Sequence, residues 1–174
     1  MQFFIAAYDT TSSTICHLLI ALALNPEIQN KLFKEIDSYS ESKNQTIDDL
    51  PYLDACFKES LRLWPGLTRL ERVAVEDTYL DNIFIPKNTK VYIPVYSVHR
   101  DSDNFENPEQ YIPERFLSEN KYKVKPGTYI PFADGPRNCI GKGFAIKQIK
   151  VIVSGLLKKY RLIACEESKV NFLL

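Results

Sequence analysis

The stretch PFADGPRNCIG, residues 131–141, sets two prolines, two glycines, an arginine and one cysteine directly ahead of an apolar run. Its distinctive positions are Phe132, Gly135, Arg137, Cys139 and Gly141. Five such residues at ordinary abundances coincide by chance in on the order of one in tens of thousands of chains. Gly135 and Gly141 permit backbone angles and close approaches that a side chain resists. Cys139 stands where the next helix is expected to open, so free N–H groups and the positive end of the helix dipole favour a thiolate there. Arg137 presents a planar fork for a carboxylate. A thiolate, an arginine suited to an acidic group and a flat approach surface suit a haem held by axial sulfur. A buried structural thiol in a tight turn is the competing reading of the same residues.

The rest of the chain bounds these readings. Its 174 residues suit one domain of moderate size with a real core. Apolar residues at 45% and charged residues at 25% are ordinary globular values, which sets aside disorder and collagen-like repeats. Lys+Arg and Asp+Glu balance at 22 each, so no global field points to nucleic acid or anionic lipid. Cys16, Cys56, Cys139 and Cys165 lie far apart with no CxxC pair, which argues against a structural zinc site and a dense disulfide framework. A reducing compartment is the simpler reading.

Phe3–Leu24 is largely apolar and about as long as a membrane span. Asp9, Thr10, Thr11, Ser12, Ser13 and Thr14 interrupt it, and no Lys or Arg precedes Lys31. A carboxylate near mid-bilayer costs roughly 2.5–3.5 kcal/mol. The stretch therefore reads as a buried helix with a polar notch, with no targeting segment within these residues.

Asn25-Pro26 closes this helix and opens a second, with Asn25 as N-cap and Ile28, Leu32, Phe33 and Ile36 at helical spacing to about Tyr39. SESKNQ is a polar loop. A third helix starts near Pro51, carries Leu53, Phe57, Leu61 and Trp64 on one face, and stops at Pro65-Gly66. RVAVEDTYLDNIFIPKNTKVYIPVYSV then holds short β-rich runs broken at Asp81-Asn82 and Lys87-Asn88, the pattern of hairpins in a small sheet. Residues 101–136 read as a long irregular segment with at most short turns, and loops of that length are often functional. A last helix over about Ile140–Tyr160 carries Ala145, Ile149, Ile152 and Leu156 on one face. The fold class expected is mainly α with a small β-sheet, α+β.

Three further features carry local readings of their own. Glu59 and Arg62 form an i, i+3 pair, which on a helix surface contributes about a few tenths of a kcal/mol. AAYDTT, residues 6–11, puts a carboxylate and a hydroxyl into an apolar helix, either as a hydroxyl stripe or as the lining of a polar cavity that handles protons. Lys142, Lys147 and Lys150 share a broad arc of the last helix, as its solvated face or as a docking site for an acidic electron donor.

Taken together these motifs resemble the cytochrome P-450 family over nearly the whole chain. The resemblance implies that Cys139 is the axial iron ligand of a haem b, in a loop shaped by Phe132, Gly135 and Gly141. It gives Arg137 and Arg72 to the haem propionates. It also implies a structural network of Glu59 and Arg62 with Arg115 of Pro113-Glu114-Arg115-Phe116. Asp9 and Thr10 fall on the family's oxygen-activation motif, where Ala7 stands in place of the usual Gly. Ile5, Ala6, Leu67, Thr68 and Arg69 would line the substrate pocket.

TRLERV, AAYDTT and PRNCIG are most similar to the 3A-type microsomal members. The activity implied is insertion of one oxygen atom from O2 into an apolar steroid, lipid or xenobiotic. Electrons would come from NADPH through a flavoprotein reductase, with cytochrome b5 as a further donor, and nucleic acid would play no part. The implied location is the cytosolic face of the endoplasmic reticulum membrane, held by an anchor ahead of Met1. Residues 1–174 would form a partial domain, the C-terminal part of the family's fold, so the chain is expected to be a fragment. A haem-thiolate isomerase or lyase acting on peroxides and a non-catalytic haem-binding remnant remain as alternatives.

Overall fold

The computed structural model describes residues 2–41, 46–120, 123–166 and 168. Four helices build the core: α1 (Gln2–Leu24), α2 (Pro26–Glu41), α3 (Pro51–Leu63) and α5 (Lys142–Leu157), with the short α4 (Val95–His99) between sheet and loop. Leu18 and Leu22 of α1, Leu32 and Ile36 of α2, Leu53, Phe57 and Leu61 of α3, and Ile149, Val153 and Leu157 of α5 close into one buried cluster. The α+β class expected from the sequence is what folds. No helix among the described residues is long and apolar enough to cross a membrane.

Helix α3 is the central element, buried on most of its circumference from Leu53 to Leu63. Its N-terminus lacks a capping side chain of its own. Glu35 of α2 supplies one, accepting the Tyr52 N–H at 2.7 Å and the Leu53 N–H at 2.9 Å. A carboxylate there meets both orphan donors and the positive dipole end. Asn25 takes the opposite role to the one expected: its Nδ2 donates to the Ala21 carbonyl at 2.8 Å, so it ties off α1 instead of capping α2. The SESKNQ loop lies mostly outside the described residues, and α2 runs into its first two positions.

The expected small sheet is two separate antiparallel pairs. β2 (Thr78–Leu80) and β3 (Ile83–Ile85) form the hairpin expected at Asp81-Asn82, with Asp81 at φ 51°. Aspartate tolerates that left-handed angle better than most residues. β1 (Leu70–Val73) pairs with β4 (Lys90–Ile93), bracketing the hairpin, so Lys87-Asn88 is a corner and does not join paired neighbours. The β-rich run also ends early, because Val95–His99 turns helical after Pro94.

Helix α5 is shorter than expected and its buried stripe is rotated. It begins at Lys142 behind Gly141, and Ile149, Val153 and Leu157 face the core. Ile152 is over a third exposed and Ala145 and Leu156 are half-buried. The rotation buries Lys150, which is 4% exposed and pairs with Asp54 of α3 at 2.9 Å.

Candidate functional site

The loop ahead of α5 is built by three local constraints. Ala133 at φ 60° and Gly135 at φ 76° turn the backbone through the left-handed region. Asp134 caps the 3-10 turn Gly135–Arg137 by accepting the Gly135 N–H at 2.8 Å. The Cys139 N–H then donates to the Phe132 carbonyl at 2.9 Å, closing the loop on itself. These contacts leave Cys139 exposed and its thiol free. A Cβ added to Gly141 would lie 4.0 Å from Cys139 Sγ, so the sulfur sits beside the residue that caps α5. Cys139 thus precedes the helix instead of lying in its first turn. The competing reading, a buried structural thiol, is corrected: Cys56 of α3 is the buried one, and burial pushes its thiol well up.

Phe132 anchors the loop from below. Its half-buried ring lies 6.4 Å from Phe57 of α3, centroid to centroid, and Lys142 Nζ lies 5.7 Å above it. Arg137 is exposed at the end of the 3-10 turn, with no carboxylate paired to it among the described residues. Ile140, next to Cys139 in the chain, and Phe144 in the first turn of α5 are 93% and 74% exposed.

The charged network implied by the resemblance forms between α3 and residues 99–115. Glu59 and Arg62 are wholly buried and joined through two N–H···O bonds of 2.8 Å each. Arg115 Nε reaches Glu59 Oε1 at 3.3 Å. The remaining donors of Arg62 go to the carbonyls of His99 at 2.8 Å, Pro108 at 2.6 Å and Gln110 at 3.0 Å. Every guanidinium N–H is therefore occupied, the condition under which a buried ion pair is tolerated. The i, i+3 pair is thus a clamp on residues 99–115, and its surface reading is set aside. Glu59 Oε1 also accepts the Ile112 N–H at 2.9 Å.

The notch on α1 is placed differently from its reading as a free polar lining. Thr10 Oγ1 donates to the Ala6 carbonyl at 2.6 Å, and Ser12 and Thr14 bond back along the helix in the same way. Such bonds loosen a helix locally. Thr10 and Asp9 are exposed, and Thr10 borders the turn after α3, where a Cβ on Gly66 would stand 3.7 Å from it. The notch and the Leu67-Thr68-Arg69 segment are thereby adjacent. Leu67 is exposed, the Thr68 carbonyl accepts the Tyr96 N–H at 3.0 Å, and Arg69 lies over the Tyr92 ring at 5.1 Å. Ala6 is exposed, and the Ile5 side chain lies outside the described residues. Arg72, on β1, donates to its neighbour's carbonyl, that of Glu71, at 2.8 Å. No hydrogen bond or ion pair among the described residues joins Arg72 or Arg69 to the cysteine loop.

The lysine arc on α5 is dispersed. Lys150 is buried on Asp54, Lys147 lies 3.6 Å from Asp48, and Lys142 covers Phe132. They form neither one solvated face nor one docking face.

Sequence reasoning missed His99. It is fully buried, stacked on Tyr129 at 5.4 Å between centroids, and its Nε2 accepts the Ile130 N–H at 2.9 Å. With Nε2 accepting, Nδ1 carries the proton and donates to the Arg62 carbonyl at 3.2 Å. Burial, seconded by the charges of Arg62 and Arg100, pushes its pKa down to about 4. Nothing in VYSVHRD marks this role, because both partners are backbone groups distant in sequence.

The sequence matches the family model described as Cytochrome P450 over residues 1–173. It is 42% identical to cytochrome P450 3A25 of Mus musculus over 172 residues, 97% of this chain and 34% of that protein. It is 43% identical to cytochrome P450 3A40 of Oryzias latipes over 176 residues, 99% of this chain and 35% of that protein. The lithocholate 6-beta-hydroxylase of Mesocricetus auratus is 41% identical over 171 residues, 96% of this chain and 34% of that protein. The chain thus spans about a third of the length of these curated relatives. A match that runs through both the cysteine loop and the buried ion network leaves one assignment: the chain belongs to the cytochrome P450 family.

Proposed function

We propose that the chain is the cysteine-bearing portion of a haem-thiolate monooxygenase that oxidises an apolar organic substrate. The observation that carries this reading is the exposed Cys139 sulfur, presented by a loop whose shape is fixed by the Cys139 N–H···O bond to Phe132. The donor set fits a haem. Among the described residues no group of three or more His, Cys, Asp or Glu side chains is gathered for a metal ion. A bare ion would find one sulfur here, whereas porphyrin iron brings four nitrogens of its own and needs only an axial ligand. Arg137 and Arg72 are exposed, and among the described residues neither pairs with a carboxylate, which leaves both open to propionates.

When bound, the haem supplies dioxygen activation, and an axial thiolate favours O–O cleavage. The chain's own part is positioning. Phe132 and the left-handed turn hold the sulfur, and the Glu59–Arg62–Arg115 clamp holds residues 99–115. Thr10, its proton given to Ala6, keeps oxygen lone pairs to accept a hydrogen bond, and the exposed Asp9 exchanges protons with solvent. Leu67, Thr68, Arg69 and Ala6 border the substrate side. The electrons would originate in NADPH and arrive through a flavoprotein reductase or cytochrome b5. The working location would be the endoplasmic reticulum membrane. Steroid-like substrates are favoured by one relative's name, lithocholate 6-beta-hydroxylase. The test is the carbon monoxide difference spectrum of the reduced full-length protein. A strongly red-shifted band is expected, absent in Cys139→Ser; a band unchanged by that substitution would overturn the reading.

A further inference from the structure

We infer that His99 is a positioning residue for the Cys139 loop, coupling it to the buried ion network through the hydrogen-bond polarity of a neutral imidazole. The inference rests on the haem-thiolate reading only for its spectroscopic consequence; the coupling itself is a property of the chain.

The ring bridges α3 and the segment that leads into the cysteine loop. Its Nδ1–H donates to the carbonyl of Arg62, the residue whose guanidinium closes on Glu59, and its Nε2 accepts the N–H of Ile130. Beyond Ile130 the backbone enters the cysteine loop. The Ile130 carbonyl accepts the Ala133 N–H at 3.1 Å, and the Phe132 carbonyl accepts the Cys139 N–H at 2.9 Å. A path of hydrogen bonds joined by short stretches of backbone thus runs from α3 to the Cys139 N–H. The His99 carbonyl also takes an Arg62 N–H, so main chain and side chain are fixed by the same residue.

The ring is suited to this task because it is an acceptor and a donor at once in a place closed to water. A protonated imidazole would turn two donors outward and repel the Ile130 N–H, and burial beside two guanidinium groups keeps it neutral. Tyr129 provides an independent tether, since its hydroxyl donates to the Lys58 carbonyl at 3.0 Å. Loss of His99 should therefore leave residue 129 on α3 while freeing residue 130 and the cysteine loop beyond it.

Three substitutions in the full-length protein separate the functions of the ring. In His99→Gln the side-chain oxygen can reach the Ile130 N–H. In His99→Asn the amide can serve Arg62 and cannot reach Ile130. His99→Phe keeps the stacking and loses both bonds. Amide hydrogen exchange reads the coupling without reference to haem. Exchange at Ile130 and Cys139 is expected to quicken by about tenfold in the Phe and Asn variants, the size of one buried donor losing its acceptor, while Cys56 and Phe57 of α3 stay unchanged. Gln is expected to restore slow exchange. The reduced carbon monoxide complex should lose the strongly red-shifted band in proportion, again with rescue by Gln. Unchanged exchange at Ile130 in the Phe variant, equal quickening throughout α3, or failure of Gln to rescue would each overturn the inference. A wild-type protein whose band is indifferent to Cys139→Ser would overturn the haem reading instead, leaving the exchange result to decide the coupling.

Discussion

At the scale of the residue, a buried charge is worth what its partners make it. Truncating Arg62 to Ala leaves the Glu59 carboxylate without its two best donors at zero exposure. The expected loss is about 3–5 kcal/mol, read as a shift of the urea midpoint. Arg62→Lys is expected to recover little, since an ammonium cannot satisfy the same five acceptor directions. Ala133 makes the opposite case, as it occupies φ 60° without being glycine. Ala133→Gly relieves about 1–2 kcal/mol of left-handed strain and loses part of it to unfolded-state entropy. A net gain of up to about 1 kcal/mol is expected in thermal melting. His99 sets a pH dependence. Its folded pKa of about 4 lies below the ordinary 6.5, so the unfolded chain binds the proton first. The contribution is complete above pH 6.5 and falls by about 1.4 kcal/mol per unit as pH drops from there toward 4. The stability gap between wild type and His99→Phe should shrink over that window, measured by chemical unfolding at several pH values.

At the scale of the element, helices here are completed by residues from other helices. α3 has no cap within its own sequence, and Glu35 from α2 supplies both acceptors. Burial pushes the Glu35 carboxyl up while the two N–H donors hold it down. Glu35→Ala is expected to cost about 1–2 kcal/mol and to quicken amide exchange at Tyr52 and Leu53 ahead of the rest of α3. Periodicity located α1, α2, α3 and α5 along the chain, because spacing reports a helix whatever it packs against. It misjudged which stripe of α5 is buried. Asp54 draws Lys150 inward, and that partner is ninety-six positions away. Asn25 shows a different limit: both helix ends beside it are local, and its amide donates back to the Ala21 carbonyl of α1.

At the scale of the whole molecule, the apolar surface is as informative as the core. Phe4 and Tyr8 of α1 stack at 6.1 Å on the outside, and Ile140, Phe144 and Val151 are exposed at and beyond the cysteine loop. Many exposed large apolar side chains favour association where they cluster. The 174-residue chain by itself is expected to self-associate, bind apolar dyes and take up haem weakly. Sedimentation velocity and haem titration check this, and a monomeric, haem-replete preparation would contradict it. The sequence by itself determined the four core helices, the hairpin at Asp81-Asn82 and the family, because these rest on spacing, on contacts between near neighbours and on residue types with no substitute. Only the tertiary structure decided that Glu59 and Arg62 are buried, that His99 joins them to Ile130, and that Lys150 belongs to the core. Those facts depend on carbonyls, amides and carboxylates brought together from distant parts of the chain, and a string of residue types carries no record of which backbone groups will meet.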